Sequence, residues 1–212
     1  MEYEIIQLDN GIRIVLHRQQ SPITHTCLVV NAGSRDEVPG KFGVAHFIEH
    51  LLFKKTERRS TNQILNHLEA VGGDLNAYTT KEYTCIHASI LKPHLTKALD
   101  LFEDIIFHST FPSEEMEKEK GVIVDEMASY LDSPEESIMD DFEDLLFKGS
   151  GLGHNILGLE KDLLAFQKQD ILDFMKANYN TGEIVIGITG DYSAKAVERM
   201  ARKYFESIPK NT

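Results

Sequence analysis

The sequence predicts an α+β fold: an antiparallel to mixed sheet of about six strands with helices packed mainly on one face. Three observations carry this expectation. The elements read in the order ββ β α α ββ ααα(α) β α, grouped rather than strictly alternating. Asp9-Asn10-Gly11 between two short apolar runs is a strong hairpin signal. A late run, Glu183 to Thr189, is apolar enough for a central strand. With 212 residues and neither an internal repeat nor a low-complexity linker, residues 1–212 read as one domain.

Each element has its own warrant. Tyr3 to Gln7 and Arg13 to His17 are the hairpin strands, and the apolar, β-branched run Thr24 to Val30 is a third. Asn31-Ala32-Gly33-Ser34 ends it, and a loop through Pro39 and Gly40 leads to a helix from Val44 to about Lys54. Val44, Ile48, Leu51 and Leu52 fall at helical spacing there, with no Pro or Gly inside. Ser60 with Gln63 is a capping box opening a helix that Gly72-Gly73 terminates. Asp74 to Thr79 and Tyr83 to Ile90 are a second strand pair. Pro93 opens a helix through Leu95, Ala98, Leu99, Phe102, Ile105 and Ile106. Pro112-Ser113-Glu114-Glu115 starts the next, its acids favoured by the helix dipole, and it runs to about Tyr130. Ser133-Pro134-Glu135-Glu136 caps a helix to about Phe147, and Gly149 to Gly158 is a glycine-rich loop. Short helices near Lys161 to Ala165 and Gln169 to Asn178 precede the last strand, and Ser193 to Ser207 is the last helix.

Composition narrows the function classes. A formal net charge of −12 with no basic stripe argues against a nucleic-acid partner, and weakly favours basic segments in a partner or substrate. Cys27 and Cys85 lie in separate apolar strands without C-x-x-C spacing, as buried free thiols in a reducing compartment would. The acidic start Met1-Glu2-Tyr3-Glu4 is not followed by a long apolar run, and no stretch approaches a membrane span. The expectation is a cytoplasmic bacterial protein. Ile208-Pro209-Lys210-Asn211-Thr212 has the look of a cut made in a linker.

The chemistry concentrates in Ala45-His46-Phe47-Ile48-Glu49-His50-Leu51-Leu52-Phe53, which contains H-x-x-E-H. On a helix, His46 and His50 project from one face, so two imidazoles can share a divalent metal. Glu49 stands beside them as a carboxylate able to take a proton from an attacking water. The order reverses the commoner H-E-x-x-H. A catalytic zinc takes three protein ligands, and the third must come from another element. Glu126 is the best candidate. Glu119, two turns earlier on nearly the same face, is placed to orient a ligand from behind. Spacing alone leaves Glu114, Glu115, Glu117 and Asp125 available too.

Three ordered blocks carry a resemblance. The first is Leu8-Asp9-Asn10-Gly11 with Arg13-Ile14-Val15, then Gly33-Ser34-Arg35-Asp36-Glu37 and Gly43 through Phe53. The second is Gly73-Asp74-Leu75-Asn76-Ala77-Tyr78-Thr79 with Glu82-Tyr83-Thr84, and the third Glu119 and Glu126 followed by Asp132-Ser133-Pro134. Together they resemble the pitrilysin/insulysin family of zinc peptidases, which includes the mitochondrial processing peptidases and bacterial relatives. The resemblance covers essentially the whole chain, as the N-terminal domain of a longer protein. It implies Zn2+ held by His46, His50 and Glu126, Glu49 as general base, Glu119 behind a ligand, and Asn76 and Ala77 along the substrate backbone. His154-Asn155 departs from the His-Pro of many relatives.

The implied function is zinc-dependent endopeptidase hydrolysis of peptides or unfolded polypeptides. The missing homologous C-terminal domain is expected as a covalent half or a separate subunit, a dimer is a further expectation, and the chain alone is expected to be a weak or inactive peptidase. The rival readings are a non-catalytic scaffold subunit of the same family, whose members tend to lose motif residues, and a related sheet fold that cleaves thioether bonds.

Overall fold

The computed structural model describes residues 3–211. Met1 and Glu2, part of the acidic start, lie outside the described residues, as does the side chain of Glu136 in the cap expected before the fifth helix. The strands are β1 (Tyr3–Gln7), β2 (Arg13–Arg18), β3 (Ile23–Val30), β4 (Asp74–Thr79), β5 (Thr84–Leu91) and β6 (Ile184–Gly190). The helices are α1 (Val44–Leu52), α2 (Thr61–Glu69), α3 (Leu95–Phe107), α4 (Ser113–Leu131), α5 (Pro134–Leu146), α6 (Glu160–Ala165), α7 (Lys168–Asn178) and α8 (Ala194–Phe205).

The strands form one sheet in the order β1-β2-β6-β3-β5-β4. Every neighbouring pair is antiparallel except β2 with β6. The sheet is therefore mixed, and β6 is central. Its alternation of Ile184, Ile186 and Ile188 with half-buried residues shows one covered face and one open face. The same alternation in β2 and β3 buries Ile14, Leu16, Leu28 and Val30 against the helical layer. That layer contributes Ala98, Leu99, Phe102 and Ile105 from α3, Phe47, Ile48 and Leu52 from α1, and Val197, Ala201 and Phe205 from α8. The expected α+β architecture is the one observed.

Local signals placed most element ends within a residue or two. Asn10-Gly11 turns the first hairpin, with Gly11 at φ +103°. Ser60 N–H donates to Gln63 Oε1 at 2.9 Å, the reciprocal half of the expected capping box. Two starts differ. Pro93 sits in a 3-10 turn, Lys92–His94, so α3 begins only at Leu95. Tyr83 belongs to the turn before β5, because Thr80 Oγ1 accepts its N–H at 3.0 Å. Cys27 and Cys85 are free thiols, half-buried and buried respectively. Among the described residues, no helix is long and apolar enough to cross a membrane.

Candidate metal centre

The N-cap of α1 is Gly43, whose φ of +95° is left-handed and suits a residue without a Cβ. The helix drives Ala45, Phe47, Ile48, Leu51 and Leu52 into the core. His46 is buried on the remaining edge, and Glu49 and His50 are half-buried beside it. The i, i+4 spacing brings the two imidazoles together, with ring centroids 4.6 Å apart and planes 70° apart.

α4 packs against α1 and delivers Glu126. Its Oε2 lies 3.8 Å from His46 Nε2 and 3.5 Å from His50 Nε2. One ligand atom from each of the three residues falls within 4.8 Å of the others, the only such group of three among the described residues. The other acids that spacing left open are engaged elsewhere: Glu114 and Glu115 pair with Lys118, and Glu117 pairs with Lys120. Asp125 points to solvent.

Glu119 stands behind His50. Its Oε2 is 3.1 Å from His50 Nδ1, and its Oε1 takes Lys54 Nζ at 2.6 Å. A carboxylate there accepts the Nδ1 proton, which leaves the lone pair of His50 Nε2 facing Glu126. His46 differs. Its Nδ1 is buried with no hydrogen-bond partner among the described residues. Burial, and then the neighbouring His50 ring, lower its pKa to about 3. His46 is thus a neutral imidazole over the whole physiological range, the form that donates a lone pair to a metal.

Glu49 adjoins this cluster and touches the sheet edge: Thr79 Oγ1 donates to Glu49 Oε2 at 2.5 Å. Burial pushes the Glu49 carboxyl above its ordinary range, against the hydrogen bond from Thr79 and the His50 charge; Glu126 adds to the rise. Thr79 ends β4, an edge strand paired only with β5. Asn76 and Ala77 lie mid-strand, and Asn76 Oδ1 accepts the Ala77 N–H at 2.8 Å. All seven residues singled out in the sequence are therefore on α1, on α4 or on the edge strand beside them. Sequence reading missed Thr79, Lys54 and Glu37. Glu37 accepts the Gly43 and Ala45 amides at the start of α1 at 2.8 and 2.9 Å. Its membership of the block Gly33 to Glu37 was the only sign of this in the sequence.

Two helices packed on this α+β sheet thus bring two histidines and a glutamate together as a set of donors that could hold a metal ion. Residues 13–159 match the family model described as Insulinase (Peptidase family M16), and residues 165–212 match Peptidase M16 inactive domain. The chain belongs to the M16 (insulinase) peptidase family. The stretch matched by the second model contributes β6 to the sheet built by the first, and its helix α8 packs against that sheet.

Over 201 residues the chain is 35% identical to an uncharacterized zinc protease of Bacillus subtilis, covering 93% of this chain and 48% of the relative. Over 207 residues it is 34% identical to the mitochondrial-processing peptidase subunit beta of Lentinula edodes, covering 97% and 44%. The fold is that of a protease from Helicobacter pylori, with a TM-score of 0.94 at 24% identity over 100% of this chain and 51% of that one. It is also that of the first half of the periplasmic protease PqqL from Escherichia coli, with a TM-score of 0.90 at 24% identity over 99% and 47%. The chain spans about half the length of the curated relatives it matches.

Proposed function

We propose that this chain is the metal-bearing N-terminal half of a zinc metalloendopeptidase acting on peptides or unfolded polypeptides. The observation that carries the reading is the convergence of His46, His50 and Glu126 within 4.8 Å. The donor set fits zinc: two imidazole nitrogens and one carboxylate are the ligands of open catalytic zinc sites. The buried His46 ring, its Nδ1 without a partner among the described residues, is held neutral as ligation requires. When bound, zinc supplies a Lewis acid that polarises the scissile carbonyl and acidifies water.

The chain's own residues do the rest. Glu49 accepts the proton of the attacking water and returns it to the leaving amine. Thr79, donating to Glu49 Oε2, fixes the orientation of that carboxylate. Glu119 keeps the His50 proton on Nδ1. The free edge of β4 pairs with an extended peptide main chain along Asn76 and Ala77, so recognition falls on backbone more than on side chains. The relatives' doubled length supports a second homologous half, as a C-terminal domain or a partner subunit, that completes the substrate chamber.

Elemental analysis tests the site directly. About one zinc per chain is expected in the wild type and a loss of it in His50→Ala and Glu126→Gln. Failure to take up zinc under repletion sinks the reading in favour of a scaffold. Peptide cleavage by the 212-residue chain is expected to be weak; robust turnover by it alone removes the need for a second half.

A further inference from the structure

The two histidines are secured differently. His50 is held directly, by Glu119 at 3.1 Å. His46 has a buried Nδ1 with no partner among the described residues, so its ring has no such brace. His46 lies in the first turn of α1, and its position follows from where that turn is fastened. The N-cap, Gly43, has no side chain to cap the turn.

Glu37 takes over that task from outside the helix. Its fully buried carboxylate accepts Gly43 N–H at 2.8 Å through Oε2 and Ala45 N–H at 2.9 Å through Oε1. An anion at a helix N-terminus is also favoured by the dipole. His154 braces it in turn, Nε2 to Glu37 Oε2 at 2.9 Å, with its ring stacked on Phe42 at 4.2 Å. The loop carrying His154 lies directly on the helix start. A Cβ on Gly43 would sit 2.5 Å from Leu157 O, and one on Gly158 would sit 2.1 Å from Phe42 O. The His154 carbonyl accepts Lys81 Nζ at 2.5 Å, and Lys81 lies in the turn between β4 and β5. One residue thus ties the metal helix to the hairpin whose edge strand meets Glu49.

We propose that Glu37 and His154 are positioning residues for His46: the carboxylate, braced by the imidazole, fixes the first turn of α1 and with it the His46 ring, whose Nδ1 has no partner among the described residues. This rests on the reading of His46, His50 and Glu126 as a zinc site. Glu37 acts on His46 through the backbone as Glu119 acts on His50 through its ring.

The test is zinc affinity of the full 212-residue chain, measured by competition with a chromogenic chelator, alongside the visible spectrum of the cobalt(II) form and the melting temperature of the metal-free protein. Glu37→Gln keeps the shape but removes the charge. His154→Leu removes the donor, and His154→Gln restores one. Glu37→Gln and His154→Leu are expected to weaken zinc binding about tenfold and to alter the cobalt bands, and His154→Gln to recover most of the affinity. Lowered melting temperatures with zinc affinity within about twofold of wild type would show a structural role only and overturn the proposal. If Glu37→Gln does not fold, the His154 pair decides, since leucine and glutamine binding zinc equally well also overturns it. Glu119→Gln separates the two levels. Weakened binding there with none in the Glu37 and His154 variants defeats this inference alone, whereas a wild type that binds no zinc defeats the site reading and this inference together.

Discussion

Replacing Glu119 by glutamine isolates the carboxylate behind His50 without removing a ligand. The side chain is 8% exposed and serves two donors, His50 Nδ1 at 3.1 Å and Lys54 Nζ at 2.6 Å. The amide keeps the volume and one acceptor oxygen but presents NH2 where the second oxygen stood, so one donor loses its acceptor and both lose the charge. Carboxylates that receive the distal N–H of a metal-bound imidazole are worth about 10–100-fold in metal affinity. That ratio corresponds to about 1.4–2.8 kcal/mol. A second, smaller effect is expected on the metal-free protein. Lys54 is 23% exposed, so loss of its ion pair costs about 1 kcal/mol or less. Chelator competition measures the first quantity and urea denaturation of the metal-free chain the second. Lys54→Met is the control: it leaves the His50 contact intact and should keep zinc affinity within about threefold of wild type. The reasoning is refuted if Glu119→Gln binds zinc within twofold of wild type, or if Lys54→Met weakens binding as much as Glu119→Gln does.

Two further expectations concern the scaffold. Asp104 is fully buried in its side chain and accepts from Thr56 Oγ1 at 2.9 Å, from Arg58 Nε at 2.7 Å and from Arg59. Burial alone would raise its pKa, but the hydrogen bonds from Arg59, Arg58 and Thr56 outweigh it and hold the carboxyl below its ordinary value. A lowered folded-state pKa stabilises the protein fully above the unfolded value of about 3.9, and that stability disappears as pH falls through the folded value. The stability gap between wild type and Asp104→Asn should therefore be constant above about pH 5 and narrow below about pH 4, as read from urea midpoints across pH; a gap that stays constant to pH 2 contradicts the pairing. Phe102, wholly inaccessible on α3, fills the space between that helix and the sheet. Phe102→Ala should cost about 3–5 kcal/mol and lower the melting temperature by about 6–20 °C, and a loss under 1 kcal/mol would mean the site collapses without a cavity.

Signals that act over three or four residues were legible without a structure. The Asn10-Gly11 turn, the Ser60–Gln63 capping box and the i, i+4 placement of His46 and His50 all follow from local backbone geometry, and each is where the chain pattern puts it. Alternation marked the strands, and the apolar run Glu183 to Thr189 marked a central one, observed as Ile184–Gly190. Strand order was not legible. That β6 lies between β2 and β3, parallel to one and antiparallel to the other, depends on how the helical connections pack back over the sheet.

The third member of the metal cluster shows the same divide. α4 carries six acids, and its own periodicity does not distinguish Glu126 from Glu117 or Asp125. The motif resemblance pointed to Glu126, and the packing of α4 on α1 brings its carboxylate within 3.8 Å of both rings while its rivals pair with lysines or face solvent. Glu37 and His154, separated by 117 residues, meet only because the glycine-rich loop can lie against the left-handed start of α1. Residue type and short-range spacing decide which groups are able to do chemistry. Burial and close packing between distant segments decide which of them meet, because those forces depend on positions that no local pattern encodes.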